Sequence, residues 1–441
     1  MNSITARFIV VAVVPLLIIT GFWNWTRDQV RAQPVDTVPH LQGSSRFDAS
    51  AVQMASLRRV SPAIVAWEEA RSQAEDLNAA VSLLGDGECL LVAANGFTIV
   101  QESDAPRTSG AGRRFLDVVM ALHSLGAGRV FSTSLIGPEP VDGVIDGDLV
   151  LLGGGDPAAV SSTLSFLASD SPWAYTEIDV LVSALIASGV RRITGDIVGD
   201  GSVFVEEQLS PGELPTWSGL IIDDGRILTT AQNRGVNSAQ TAAKTLLDLL
   251  RSAGISVGGS ARTGVVDPGG VPLAVVESRP LRVIAQALLR SNVESDAWST
   301  VFGNIESSFA LEAGMSAFPS SGLSAMIDYL NTEHETDLSL SSGELQMSCG
   351  DVQVLSTLLR EQHPEFFEDV FIGGVSATGI IIESGADSIV VATTPLGVEV
   401  TALGSLDSVE AAMADVFNVI DRFETERDPL SFSPEVMMDV R

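Results

Sequence analysis

Strand-forming material stands near both ends of this chain, and that arrangement constrains the fold more than any other feature. The stretch GECLLVAANGFTIVQES (residues 87–103) holds two β-rich runs on either side of Asn95-Gly96. That dipeptide tolerates the positive φ angles of a two-residue hairpin turn, so the runs predict a β-hairpin. Comparable runs return only far downstream, as SIVVATT (388–394) and VEVTALG (398–404), followed by the amphipathic helix DSVEAAMADVFNVIDRFE. A single α/β (α+β) domain results if its sheet is assembled from both ends of the chain, with the intervening residues inserted.

Between the ends the texture changes twice. In PRTSGAGRRFLDVVMALHSLG (106–126), Phe115, Val118, Val119, Leu122 and Leu125 fall on one face at helical spacing, so a loop of small residues enters a core helix. Arg113 and Arg114 sit in its first turn, where a cation opposes the helix dipole. From about Arg129 to Val275 short strands alternate with glycine turns and separate helices. DGDLVLLGGGDPAAVSS reads as a strand into a tight turn, GVRRITGDIVGDGSVF as two short strands, and SAQTAAKTLLDLLRSAGISVGG as a helix closed by Gly254 with a strand after it. A long helical region follows from Leu281. These boundaries predict a discontinuous domain over 56–130 and 275–428, an inserted module over 131–274, and a tail over 429–441.

The N-terminus predicts an address outside the cytoplasm. Phe8 to Trp23 is apolar throughout and ends near Trp25, and tryptophans favour a membrane interface. We read residues 1–27 as an uncleaved membrane anchor, with removal as a signal peptide the alternative, and 28–55 as a polar stalk. The 56 acidic residues outnumber 25 basic ones, a formal charge of −31 that repels nucleic acid, so no nucleic-acid partner is expected. Two cysteines, Cys89 and Cys349, are too few for a disulfide scaffold and lack metal spacing; one bridge and two free thiols both remain open.

The usual chemical signatures are missing. His40, His123, His334 and His363 lie far apart without ligand spacing, so no metal is expected, and His123 reads as a polar-face residue of its helix. Gly153-Gly154-Gly155-Asp156 lacks the lysine of a phosphate loop and reads as a tight turn, so no cofactor is expected. The pairs Asp223-Asp224 and Glu368-Asp369 read as solvated surface in so acidic a chain.

The order of these segments resembles the penicillin-binding proteins of the serine D-Ala-D-Ala carboxypeptidase/endopeptidase family, the low-molecular-mass class C (peptidase S13) type. CLLVAANGFTIVQESDAP is similar to that family's first hairpin, MALHSLGAG to the end of its nucleophile helix, and GDLVLLGGGDP to a stretch typical of the family. ITGDIVGDGSVF, AAKTLLDLLRSAGISVGG and RPLRVIAQALLRS follow in family order, so the likeness covers about residues 60–420. It implies a transpeptidase-like α/β domain carrying an inserted module, and peptidoglycan peptides as substrate.

The resemblance also implies three motifs, and none is intact. SxxK, with its acylated serine and proton-transferring lysine, falls on Ala111 and Arg114. SxN falls on Asn292, Val293 and Glu294, or one place earlier on Ser291, Asn292 and Val293. KTG, counted back from Gly374–Ala377, falls on Glu368, Asp369 and Val370; a rival placement on Ala377–Gly379 also lacks lysine. An alanine methyl cannot attack a carbonyl, and arginine stays protonated at physiological pH. The family needs two lysines, and the chain has only Lys244, which reads as a surface residue of the inserted module's helix. Ser109 and Ser291 are the fallback nucleophiles. The expectation is a membrane-anchored extracytoplasmic pseudoenzyme that binds peptidoglycan stem peptides or a cell-envelope protein. An active carboxypeptidase with displaced residues is the first alternative, and a structural or assembly factor with a closed cleft the second. Whether the groove beside Ala111 is open, or filled by side chains such as Arg114 and Trp298, separates the last from the first.

Overall fold

The computed structural model describes residues 77–426 except 78–80, 86, 95–96, 104, 163–174, 206–216, 224–236, 267–269, 291–295, 373–374, 386 and 396. The expected anchor, stalk and tail, and the SxN positions Ser291, Asn292, Val293 and Glu294, lie outside these residues. Among the described residues no helix is long and apolar enough to cross a membrane.

Both ends of the chain meet in one six-stranded sheet. Strands β1 (Cys89–Ala94) and β2 (Phe97–Glu102) form the expected hairpin, Ala94 facing Phe97 across the two-residue turn. Four strands arrive from the other end: β16 (Glu368–Ile372), β17 (Val375–Ser384), β18 (Asp387–Thr393) and β19 (Val398–Ser405). The spatial order is β16-β17-β18-β19-β1-β2, all antiparallel, and Cys89 faces Leu403 where the two ends join. Ile389 to Ala392 are all buried, a continuous apolar run rather than an alternating one, because both faces of the sheet are covered.

One face carries α1 (Gly110–Met120), which continues through a π turn at Ala121–Gly126, with α4 (Leu281–Arg290), α5 (Asp296–Glu312), α6 (Pro319–Glu333) and α7 (Cys349–Gln362). Phe115, Leu116 and Val119 pack there with Ile284, Ile305, Ile380, Ile382 and Val391. The terminal helix α8 (Leu406–Glu426) covers the other face through Val409, Met413, Val416 and Phe417. The long helical region expected after Leu281 is two helices. Short strands β3 (Arg107–Thr108), β14 (Ser339–Ser341) and β15 (Glu344–Met347) form a small sheet of their own. Cys89 and Cys349 form a disulfide, Cα atoms 5.9 Å apart, fastening β1 to the first turn of α7. Ser348 and Asp351 close that turn as a reciprocal capping box.

Residues 132–277 build a second five-stranded sheet, β12-β10-β6-β4-β13, from β4 (Ser132–Gly137), β6 (Leu149–Leu152), β10 (Ile197–Asp200), β12 (Ala261–Thr263) and β13 (Val271–Glu277). Minor strands β5 (Val144–Ile145), β7 (Ala159–Val160), β8 (Thr176–Glu177), β9 (Arg192–Ile193) and β11 (Ser256–Val257) flank it. Helices α2 (Asp179–Ala187) and α3 (Ser238–Ser252) pack on one face through Leu181, Leu185, Leu246 and Leu250. Gly254, at φ +85°, closes α3 as expected, and Lys244 is exposed on it. The glycines after β6 answer to more than a turn. A Cβ on Gly153 would meet the Gly219 carbonyl oxygen at 2.1 Å, and one on Gly154 the Ser132 oxygen at 2.3 Å, so two backbones cross there in contact.

Candidate functional site

The first turn of α1 is where an SxxK nucleophile would stand. Ser109 is its N-cap, and its Oγ accepts the Gly112 amide hydrogen at 2.7 Å. The same hydroxyl donates to Asp387 Oδ2 at 2.5 Å, and the Ala111 amide approaches that oxygen at 3.4 Å. Asp387, the first residue of β18, therefore occupies the positive end of the helix from within the fold. Arg107 lies 3.6 Å from its other oxygen and 4.0 Å from Glu88, tying β3 to this corner. Burial pushes the Asp387 carboxyl up, against the pull of Ser109 and Arg107. Glu88 is held below its ordinary range: burial raises it, but the Gly85 and Ser405 amides that it accepts outweigh that.

The expected positions fare differently. Ala111 is wholly buried among core side chains and presents no methyl to solvent. Arg114 is 2% exposed, and its Nη1 donates to the Glu383 carbonyl at 2.7 Å at the end of β17. Desolvation pushes its pKa down. Met347 closes over the same turn, its Sδ standing 2.1 Å from where a Gly112 Cβ would be. Glu368 is not brought to this point. It pairs with Gly379 across the sheet, five residues along β17 from Ser384, which pairs with Asp387. At about 3.3 Å per residue it lies roughly 17 Å away along the strand. There it makes an exposed ion pair with Arg290 at the end of α4. The rival position Ala377–Gly379 is mid-strand, as far from the helix start or farther.

Two readings need correction. Asp223 is fully buried, not solvated, and accepts the Ser161 amide at 2.7 Å. His123 bridges Tyr329 (2.9 Å) and Gln362 (2.7 Å) between helices rather than facing water alone. Asp387, 278 residues away, supplies the fallback nucleophile Ser109 with a carboxylate acceptor. Nothing local could have revealed it, although an aspartate opening an otherwise apolar strand is unusual. Nor does any local pattern point to Glu306, fully buried on α5 against Arg113 of α1. Among the described residues no group of metal-ligating side chains assembles.

A two-end antiparallel sheet between a helical layer and a terminal helix, with a helix start set at the end where β17 meets β18, is the penicillin-binding-protein fold. Penicillin-binding protein 4 from Haemophilus influenzae superposes with a TM-score of 0.58 at 13% identity, covering 78% of this chain and 99% of that one. The same protein complexed with a β-lactam gives 0.57 at 13%, again over 78% and 99%. Residues 92–235 match the model of the D-Ala-D-Ala carboxypeptidase 3 (S13) family. The chain is thus similar to that family over this segment and shares the penicillin-binding-protein fold. No curated protein is detectably similar to it in sequence.

Proposed function

We propose that this protein is a non-catalytic member of its family, acting outside the cytoplasm in the cell envelope, and that it works by binding rather than by acyl transfer. One observation carries the reading: at the nucleophile position the helix start is sealed. Ala111 is buried, its amide faces Asp387, and Arg114 is folded against Glu383, so no carbonyl of a peptide could approach this turn. The sealed turn favours a structural or assembly role with a closed cleft over a peptidoglycan peptide lying against Ala111. The partner is then a cell-envelope protein, with the N-terminal segment holding the chain at the membrane. A disulfide between two buried cysteines supports an oxidising compartment.

The active-enzyme reading has one observation in its favour, the Ser109–Asp387 hydrogen bond, since a carboxylate at 2.5 Å can take a proton. Against it, one of the two lone pairs on Ser109 Oγ is engaged by the Gly112 N–H and the residue is 3% exposed. Intact-mass measurement after incubation with excess penicillin separates the two. The non-catalytic reading expects no adduct while an intact relative acylates in parallel. A stoichiometric adduct, mapped to Ser109 or Ser291, would overturn it, as would release of D-Ala from a pentapeptide by the pure protein.

A further inference from the structure

Behind the sealed turn, α1 and α5 meet through three ionisable groups whose charges do not balance. Arg113 Nε donates to Glu306 Oε1 at 2.7 Å and lies 3.4 Å from Asp117 Oδ2, one turn along its own helix. Both carboxyl side chains are completely inaccessible, and the arginine side chain is 27% exposed. One cation therefore faces two buried acids.

Among the described residues no other charge relieves the imbalance. On α1, Arg114 turns to the Glu383 carbonyl, and Asp387 at the helix head is held by Ser109 and Arg107. Further along α5, Glu312 pairs with Arg129 at the surface. In the π turn His123 bonds Tyr329 and Gln362; Asp328 and Glu333 of α6 and Arg282 and Arg290 of α4 are exposed. On α7, Asp351 is spent on its capping box. Two buried anions against one cation are strongly disfavoured, and the pair relieves this by keeping a proton.

We propose that Glu306 is a protonated carboxylic acid at neutral pH, hydrogen-bonded to the Asp117 carboxylate, and that loss of this proton unlocks α5 from α1. Burial first, and then the neighbouring Asp117, push Glu306 well up, while burial brings Asp117 to about 6 in the field of Arg113. At neutral pH the trio is then one cation, one anion and one neutral acid. The sign follows: a carboxyl whose folded pKa is raised favours the folded arrangement at low pH, and that advantage is lost as pH rises toward the folded value.

Helix α5 carries the consequence further. Asn304, two residues before Glu306 and so about 200° around the helix, accepts the Ser218 amide at 3.1 Å and donates to the Gly155 carbonyl at 3.2 Å. It is fully buried. The helix is thus clamped by Glu306 on one side and by the 153–156 and 217–220 loops on the other, so a proton leaving Glu306 loosens the seat of both loops.

Hydrogen exchange measured by mass spectrometry at pH 6.5 and 9, corrected for intrinsic rates, tests this on the full chain. Peptides over 300–312, 153–158 and 217–222 should lose protection about tenfold or more at pH 9, the effect of one proton-linked step of about 1.4 kcal/mol. Peptides of β18 should not. Glu306→Gln, which keeps the acceptor for Arg113 and cannot ionise, should abolish the difference. Flat exchange in the wild type, a uniform loss that includes β18, or an unchanged pH response in Glu306→Gln each overturns the proposal. Infrared detection of a protonated carboxyl at pH 7.5 is an independent readout should that variant fail to fold. Its presence in the wild type and absence in Asp117→Asn supports the lock, and its absence in the wild type refutes it.

Discussion

Asp156 offers a quantitative test of how the glycine-rich turn is held. The residue is 3% exposed, and its Oδ1 accepts the Ala158 amide at 2.9 Å. Burial pushes its carboxyl up from 3.8 to about 6, with the Ala158 amide and the Thr176 hydroxyl restraining the rise. Two pH units at 1.36 kcal/mol each amount to about 3 kcal/mol of penalty for holding the charged form. The sign is that of a raised acid: there is no penalty below the unfolded pKa of about 4, roughly half near pH 5, and the full amount above about 6.5. Asp156→Asn keeps the acceptor for Ala158, adds a donor for Thr176 and removes the charge. It should match the wild type near pH 3.5 and exceed it by up to about 3 kcal/mol at pH 7, read as the difference in urea denaturation at each pH. A variant less stable than wild type at pH 7, or a difference that does not grow between pH 4 and 7, would show that the buried charge of Asp156 carries no such penalty. The carboxylate would then be engaged by a stronger partner than the geometry shows.

Three further outcomes are expected. Ser109→Ala removes the N-cap of α1 and the hydroxyl that binds Asp387, and should lower stability by about 1–2 kcal/mol in the same denaturation assay; no change would deny the serine its capping role. Replacing Cys89 and Cys349 together by serine opens a loop with a sequence separation of 260 residues, for which chain entropy gives about 5 kcal/mol of lost stability, seen as a large fall in the denaturation midpoint. Restoring the first motif as Ala111→Ser with Arg114→Lys should leave the protein unacylated by penicillin in an intact-mass assay, because position 111 stays buried and Glu368 lies roughly 17 Å away along the strand; an adduct would show that the sealed turn opens.

Much of the fold was legible because its signals are local. Asn95-Gly96 announces the hairpin, the apolar stripe from Phe115 to Leu125 announces α1, and Gly254 closes α3, each through a backbone preference or a periodicity that needs no partner. The segments shared with the family set their order. What escaped was every fact that depends on register between distant segments. Counting from Gly374–Ala377 puts Glu368 at the KTG lysine, yet where that residue falls along the sheet depends on the β16–β17 pairing. Ser109 with Asp387, Arg113 with Glu306, and Cys89 with Cys349 are contacts across roughly 190 to 280 residues, formed by packing rather than by any pattern along the chain. Adjacent carboxylates misled for the same reason, since Asp223 is buried by what packs over it.

The junction of the sheet also sets a timetable for the nascent chain. Strand β1 has β2 beside it at once, but its other edge waits for β19, about 300 residues later. Made at about 5–20 residues per second, the chain leaves that edge and the Cys89 thiol uncovered for some 15–60 s. The strands of residues 132–277 need no such delay, since they pair only among themselves. The middle of the molecule therefore matures first and the outer domain last, around an apolar edge that invites foreign strands while it waits. Thiol trapping during synthesis should find Cys89 free at least until Cys349, 260 residues later, has been made, making this protein dependent on whatever shields unpaired strands and mismatched thiols where it folds.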